Sequence, residues 1–167
     1  MDRELPAAAL RATTEDDLLD LVALWNDGRV MGWVGFPDGL AYTLKDAHAW
    51  WRRLRGDPRR HHFVVAAPGV RFAGEAYWRL EPEYRRAGLD IKLRPAAQGR
   101  GIATAALLAL CERIFADEQR ADAVWVEPSA ENTAARRLYT RCGFAPAPRP
   151  LDLPAGDSYW ERRRPRT

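Results

Sequence analysis

The chain has 167 residues, 47% of them hydrophobic and 29% charged. That composition excludes a disordered chain and, at roughly 150 residues per domain, argues for one domain, residues 1–167, around a single substantial core. The net charge is +3, but Arg162, Arg163, Arg164 and Arg166 supply four positive charges and leave the rest of the chain at −1. Bulk charge therefore does not call for a nucleic-acid partner, and residues 162–167 are expected to form a solvated, disordered basic tail.

An opening strand precedes Thr14. Thr14 and Asp17 have the spacing of a capping box, and Leu18, Leu21, Val22 and Trp25 follow at helical intervals, which predicts a helix from about Glu15 to Trp25. Thr43 and Asp46 repeat the signal ahead of Trp50, Trp51 and Leu54, and Gly56-Asp57-Pro58 ends that second helix. The intervening segment, Asn26 to Tyr42, is rich in glycine and aromatics and reads as a long loop lining a binding site.

From His62 the period becomes that of a strand. Phe63 to Ala67, the turn pair Pro68-Gly69, and Val70 to Leu80 predict a β-hairpin. Glu81 to Arg86 is read as a polar connection, and Leu89 to Leu93 alternates apolar and polar as a third strand. A helix is expected from Gly101 to Phe115 with Ala103, Leu107, Leu110, Cys111 and Ile114 along one stripe. A short strand, Val124 to Val126, stops at Pro128. Thr133 to Cys142 is a last helix, ended by Gly143 in the left-handed conformation. Phe144 and Ser158-Tyr159-Trp160 supply two final strands. The fold class is α/β (α+β), a mixed, mostly antiparallel sheet flanked by helices in the order β-α-α-β-β-β-α-β-α-β-β.

Cys111 and Cys142 lack metal-binding or disulfide spacing and are expected to be buried hydrophobes. His61 and His62 look like a strand-start pair with no orienting acid. No apolar run approaches the ~18 residues of a membrane span, and the segment MDRELPAAAL does not resemble a signal peptide; cytoplasm is the expected compartment.

The most informative segment is Gln98-Gly99-Arg100-Gly101-Ile102-Ala103, between a strand and a helix. Such a turn lets backbone N–H groups converge at a helix N-terminus and suits a phosphate, with Arg94 and Arg100 beside it; a tight turn without a ligand is the alternative. Neither the P-loop pattern nor the dinucleotide fingerprint is present. One helix and one strand later comes Asn132-x-x-Ala135-x-x-Leu138-Tyr139-x-x-x-Gly143-Phe144. Together, and most sharply over residues 85–144, these motifs resemble the GCN5-related N-acetyltransferase (GNAT) superfamily.

The resemblance implies acetyl-CoA as cofactor and no metal. The cofactor would be held by Ile91 and Leu93 on the strand, by Gln98, Gly99, Arg100, Gly101, Ile102 and Ala103 at the turn, and by Asn132, Ala135 and Tyr139 on the later helix. Asn132 has an alternative as a helix N-cap. Transfer from a thioester to an amine needs a neutral amine, a stabilised oxyanion and a proton for the thiolate. Tyr139 matches the family's general acid, with core packing as its alternative. Asp90 is the first candidate base, Glu75 the second and Glu127 the third; relatives carry a glutamate two residues before Asp90, where this chain has Gly88.

The acceptor expected from the resemblance is a primary amine, attacking directly in a ternary complex: a polyamine, an aminoglycoside-like molecule or a peptide N-terminus. Asp27, Asp38, Glu81 and Glu83 are further acids that could favour a cation, and the aromatics from Trp25 to Trp51 could stack on it. A homodimer is left open. An acyl-CoA-binding regulator without catalysis is the alternative function.

Overall fold

The computed structural model describes residues 7–166. Strand β1 (Ala9–Ala12) leads into a 3-10 turn and helix α1 (Leu18–Trp25), then short helix α2 (Gly28–Met31) and helix α3 (Leu44–Arg55). Strands β2 (Arg60–Ala67), β3 (Val70–Glu81) and β4 (Arg86–Leu93) form an antiparallel meander. Helix α4 (Ile102–Asp117), strand β5 (Ala123–Val126), helix α5 (Thr133–Arg141) and strands β6 (Ala145–Pro146) and β7 (Trp160–Arg163) complete the chain. The seven strands lie in the order β1-β2-β3-β4-β5-β7-β6, with only the β4–β5 pair parallel.

Both capping boxes form. Asp46 accepts from the Thr43 backbone N–H at 2.8 Å, and Asp17 accepts from that of Thr14 at 2.9 Å. Asp17 is also buried beneath Arg11, whose guanidinium grips it at 2.7 and 2.8 Å. Alternation then sorts the sheet. Phe63 and Val65 on β2, Ala76 and Trp78 on β3, and Leu89 and Leu93 on β4 face the core beneath α4. Val64 belongs to the second core with Leu18, Leu21, Leu24 and Trp25 of α1. Because side chains have period two and paired residues share a face, Arg60 and His62, Tyr77 and Glu75, and Asp90 and Lys92 all stand on the α1–α3 side.

Several boundaries depart from expectation. Asn26 to Tyr42 is not one long loop: Asp27 caps α2 by accepting from the Arg29 N–H, and a 3-10 turn follows at Gly32–Val34. Glu81 and Arg86 are not a connection but the paired ends of β3 and β4. The last strand begins at Trp160, later than expected. Its consequence is the main correction, for residues 162–164 are not part of a free tail: Arg162 and Arg163 pair with Val124 and Ala123 inside the sheet. Arg164 donates to the carbonyls of Phe115, Glu118 and Ala121, satisfying groups left open at the end of α4. A run of arginines looked like a solvated terminus because composition cannot show that their carbonyls and N–H groups close a sheet. Thr167 lies outside the described residues.

Gly143 is left-handed at φ +84°, as expected for the end of α5. Cys111 and Cys142 are buried free thiols, and burial first of all raises them to about 12 and about 11. Among the described residues no helix is long and apolar enough to cross a membrane, and no three His, Cys, Asp or Glu side chains converge to hold a metal ion.

Candidate active site

The parallel pairing of β4 with β5 runs only from Arg86↔Ala123 to Gly88↔Trp125, while β4 continues to Leu93. Beyond Gly88 the two strands part, so alternate backbone groups of Leu89–Leu93 on the edge away from β3 have no strand partner. The gap opens into a cleft of about 920 Å³. Asp90, Ile91, Lys92 and Leu93 form one wall of it, and Asn132, Ala135, Leu138 and Tyr139 of α5 the other.

Gln98, Gly99, Arg100, Gly101 and Ala103 close the cleft at the head of α4. Gly99 and Gly101 both have left-handed backbones, at φ +71° and +80°. A Cβ on Gly99 would meet nothing within 4 Å, so the residue is required by conformation and leaves open space for a ligand's close approach. Gln98 donates to the carbonyl of Leu93 at 3.0 Å and pins the turn to the free edge of β4. A helix N-terminus behind such a turn favours negative charge, and Arg100, Arg137 and Arg141 add to it. The donor set fits a nucleotide carrying phosphates.

Not every expected residue reaches the cleft. Ile102 is 2% exposed and packs in the core, so it offers only its backbone. Arg94 is turned away, paired with Asp20 at 2.5 Å and stacked on Phe72. Asn132 caps α5 by accepting from the Ala135 N–H at 3.0 Å while also facing the cleft. The acids Asp27, Glu81 and Glu83 do not converge: they pair with Arg29, Arg86 and Arg59 respectively. The position two residues before Asp90 is occupied in space as well as in sequence, since a Cβ on Gly88 would lie 3.1 Å from the Trp125 ring.

Tyr139 is buried at the cleft wall, and its phenol is pushed above the ordinary range by burial first and by the Asp90 charge second. It stays protonated at any physiological pH and can donate a hydrogen bond there. Asp90 accepts from the Ile91 N–H at 2.8 Å and pairs with Lys92. Glu127 shares the cleft but is exposed and held by Arg149 at 3.0 Å.

Glu75 faces a different cavity. This second pocket, of about 280 Å³, is walled by Trp25, Tyr42, Trp50 and Tyr77. Glu75 accepts from Trp25 Nε1 at 3.0 Å and His62 Nε2 at 2.9 Å, and Lys92 Nζ stands 3.5 Å away. Burial alone would raise this carboxyl, yet Lys92 and His62 together hold it well below the usual carboxylate range. His62 in turn bonds Thr13 Oγ1 at 2.8 Å, so the histidine expected to lack an orienting acid has one. Lys92 is the side chain common to both cavities. Burial would lower its ammonium, but Asp90 and Glu75 outweigh that and hold it above its ordinary range. Sequence reasoning missed it, although it is one of only two lysines among 26 basic residues.

A split sheet, a left-handed glycine turn at a helix head and an adjoining aromatic pocket make a two-part site whose larger part fits a phosphate-bearing ligand. The family model described as an acetyltransferase (GNAT) domain matches residues 8–145, and the chain belongs to that family. It is therefore an acyltransferase. The spermidine N-acetyltransferase of Vibrio cholerae, solved with CoA and spermine, is 20% identical over 93% of this chain and 95% of its own, with a TM-score of 0.80. The aminoglycoside acetyltransferase AAC(6')-Ib, solved with coenzyme A, is 22% identical over 95% of each chain, with a TM-score of 0.78. The same enzyme with ribostamycin and coenzyme A gives 22% and 0.78, over 95% of this chain and 94% of its own. At these identities the likeness establishes the fold. Among curated protein sequences, none matches significantly.

Proposed function

We propose that the chain is an acetyl-CoA-dependent N-acetyltransferase acting on a small-molecule primary amine. The observation that carries this reading is the meeting of the two cavities at Lys92, two residues from Asp90 on the unpaired edge of β4. One cavity has the size and anion-attracting turn for the cofactor, and the other has aromatic walls for an acceptor. Two structural neighbours were solved with amines, spermine and ribostamycin, together with CoA.

When bound, acetyl-CoA supplies the activated acetyl group. The amides of Gly99 to Ala103 at the head of α4 would hold the pyrophosphate, and Arg100 would offset its charge. The free edge of β4 at Ile91 and Leu93 orients the acyl arm, which requires Asp90 to release the Ile91 N–H. Asp90 then accepts the amine's proton directly or through water. Tyr139, kept protonated by its raised pKa, would donate a hydrogen bond to the departing sulfur, which would take its proton from the phenol or from water. Glu75 is committed to three donors and acts by fixing Lys92 and Trp25. The enzyme works as one domain in the cytoplasm, where its two thiols stay reduced.

The bonds that occupy Asp90 and Glu75 favour one second reading, an acyl-CoA-binding regulator with little turnover. Thiol release from acetyl-CoA against a panel of amines separates the two: turnover above the acceptor-free rate supports the enzyme, and binding without turnover across the panel supports the regulator.

A further inference from the structure

The acceptor pocket is built on an unexpected charge balance. Its sheet wall carries Arg60, His62, Glu75, Tyr77 and Lys92, so its one carboxylate faces two permanent cations. That carboxylate is already consumed by Trp25, His62 and Lys92. Arg60 is different. Its guanidinium lies over the Tyr77 ring at 4.9 Å, its Nε is buried with no hydrogen-bond partner, and no carboxylate among the described residues pairs with it. Most other arginines near the sheet are matched: Arg11 with Asp17, Arg85 with Asp122, Arg86 with Glu81 and Asp152. An arginine stacked on a ring with its fork unpaired is prepared for a planar anion, because the stacking fixes the plane and leaves the N–H edges for bidentate binding.

From this we infer that the acceptor carries a carboxylate which Arg60 binds, at the far end of the aromatic pocket from the amine to be acetylated. The inference rests on the acetyltransferase reading and deepens it. The register gives the spacing: Arg60 and Asp90 sit on the outer strands of β2-β3-β4, offset by two residues, about 12 Å between Cα atoms. A compact aromatic or apolar amino acid spans what remains once Arg60 reaches into the pocket, with Asp90 standing in the cofactor cleft beyond Lys92. A polyamine does not suit the pocket, since its second cation would meet Arg60 where a polycation site needs an acid.

Three acceptors on one rigid scaffold isolate the distal charge: benzylamine, 4-(aminomethyl)benzoate and 1,4-bis(aminomethyl)benzene. In acetyl transfer the carboxylate compound should exceed benzylamine at least tenfold in kcat/KM, and the diamine should be the poorest. In Arg60→Gln that preference should fall at least tenfold, with Arg60→Lys keeping part of it. A calorimetric arm needs no turnover: 4-methylbenzoate should bind the full chain, and Arg60→Gln should abolish that binding. Equal rates for the three acceptors, or a diamine advantage, would overturn the inference while leaving acetyl transfer intact. If no amine is acetylated, the acetyltransferase reading fails and calorimetry decides alone: Arg60-dependent binding of 4-methylbenzoate sustains the anion site, and its absence refutes it.

Discussion

Lys92 Nζ lies 3.5 Å from a carboxylate oxygen of Glu75, and this contact closes the wall between the two cavities. Both side chains are buried, at 10% and 3% exposure. Removing one partner from such a pair strands the other's charge, which costs more than the pair itself contributes. Lys92→Met should therefore destabilise the fold by about 4 kcal/mol, and adding Glu75→Gln should recover part of the loss. Denaturant unfolding of the two single variants and the double variant measures the coupling; additive losses would show that the two charges do not depend on each other.

The pair also sets a pH window. Glu75 is held below its ordinary range, so its contribution is present above about pH 4.5 and lost as pH falls; Lys92 is held above its own, so its contribution is lost only above about pH 10.5. Between about pH 5 and 10 neither should titrate. An inflection in kcat/KM inside that window should follow the pKa of the acceptor when the acceptor is changed, and an inflection fixed across acceptors would contradict this.

Asp17 supplies a cleaner acid titration. The hydrogen bonds from Arg11, opposed by burial, hold it at about 2 against an ordinary 3.8. A depressed carboxyl stabilises the fold above its unfolded pKa and loses that effect as pH falls through its folded one. The stability gap between the wild type and Asp17→Asn should be widest near neutral pH, on the order of 2 kcal/mol, and should shrink between about pH 4 and 2. Urea midpoints at several pH values test it, and a gap independent of pH would refute it.

Two glycines separate conformation from packing. Gly99→Ala meets no neighbour but must adopt φ +71°, which costs about 1–2 kcal/mol and re-aims the turn. Its KM for acetyl-CoA should rise about tenfold with little change in kcat. Gly88→Glu should instead lower the melting temperature, because the new Cβ meets the Trp125 ring. A faster enzyme of undiminished stability would show that Trp125 yields easily.

Deleting residues 162–167 removes part of β7 and the arginine that closes the end of α4. The loss should be about 3 kcal/mol or more, read from urea unfolding. Intact stability would restore the free-tail reading.

Much of the fold was legible locally. Thr14 to Asp17 and Thr43 to Asp46 announce their helices, and alternation along Leu89 to Leu93 announces β4. The cofactor wall was legible for the same reason, since the glycine turn and the α5 motif are each contiguous in sequence. The acceptor side was not. Arg60, Glu75 and Lys92 come from three strands, and only the pairing register brings them onto one face. The role of Arg162 to Arg164 was hidden likewise, because a non-local strand pairing leaves no periodic trace in four residues.

Acetyl transfer to an amine requires the split-sheet cleft and the aromatic pocket to act together. The most direct measurement is thiol release from acetyl-CoA with a panel of primary amines, with mass spectrometry of the acceptor, for the wild type and Tyr139→Phe. The wild type should yield acetylated amine, and Tyr139→Phe should lower kcat about 100-fold at nearly unchanged stability. Acetyl-CoA binding with no acetylated amine from any acceptor, or an undiminished rate in Tyr139→Phe, would contradict it.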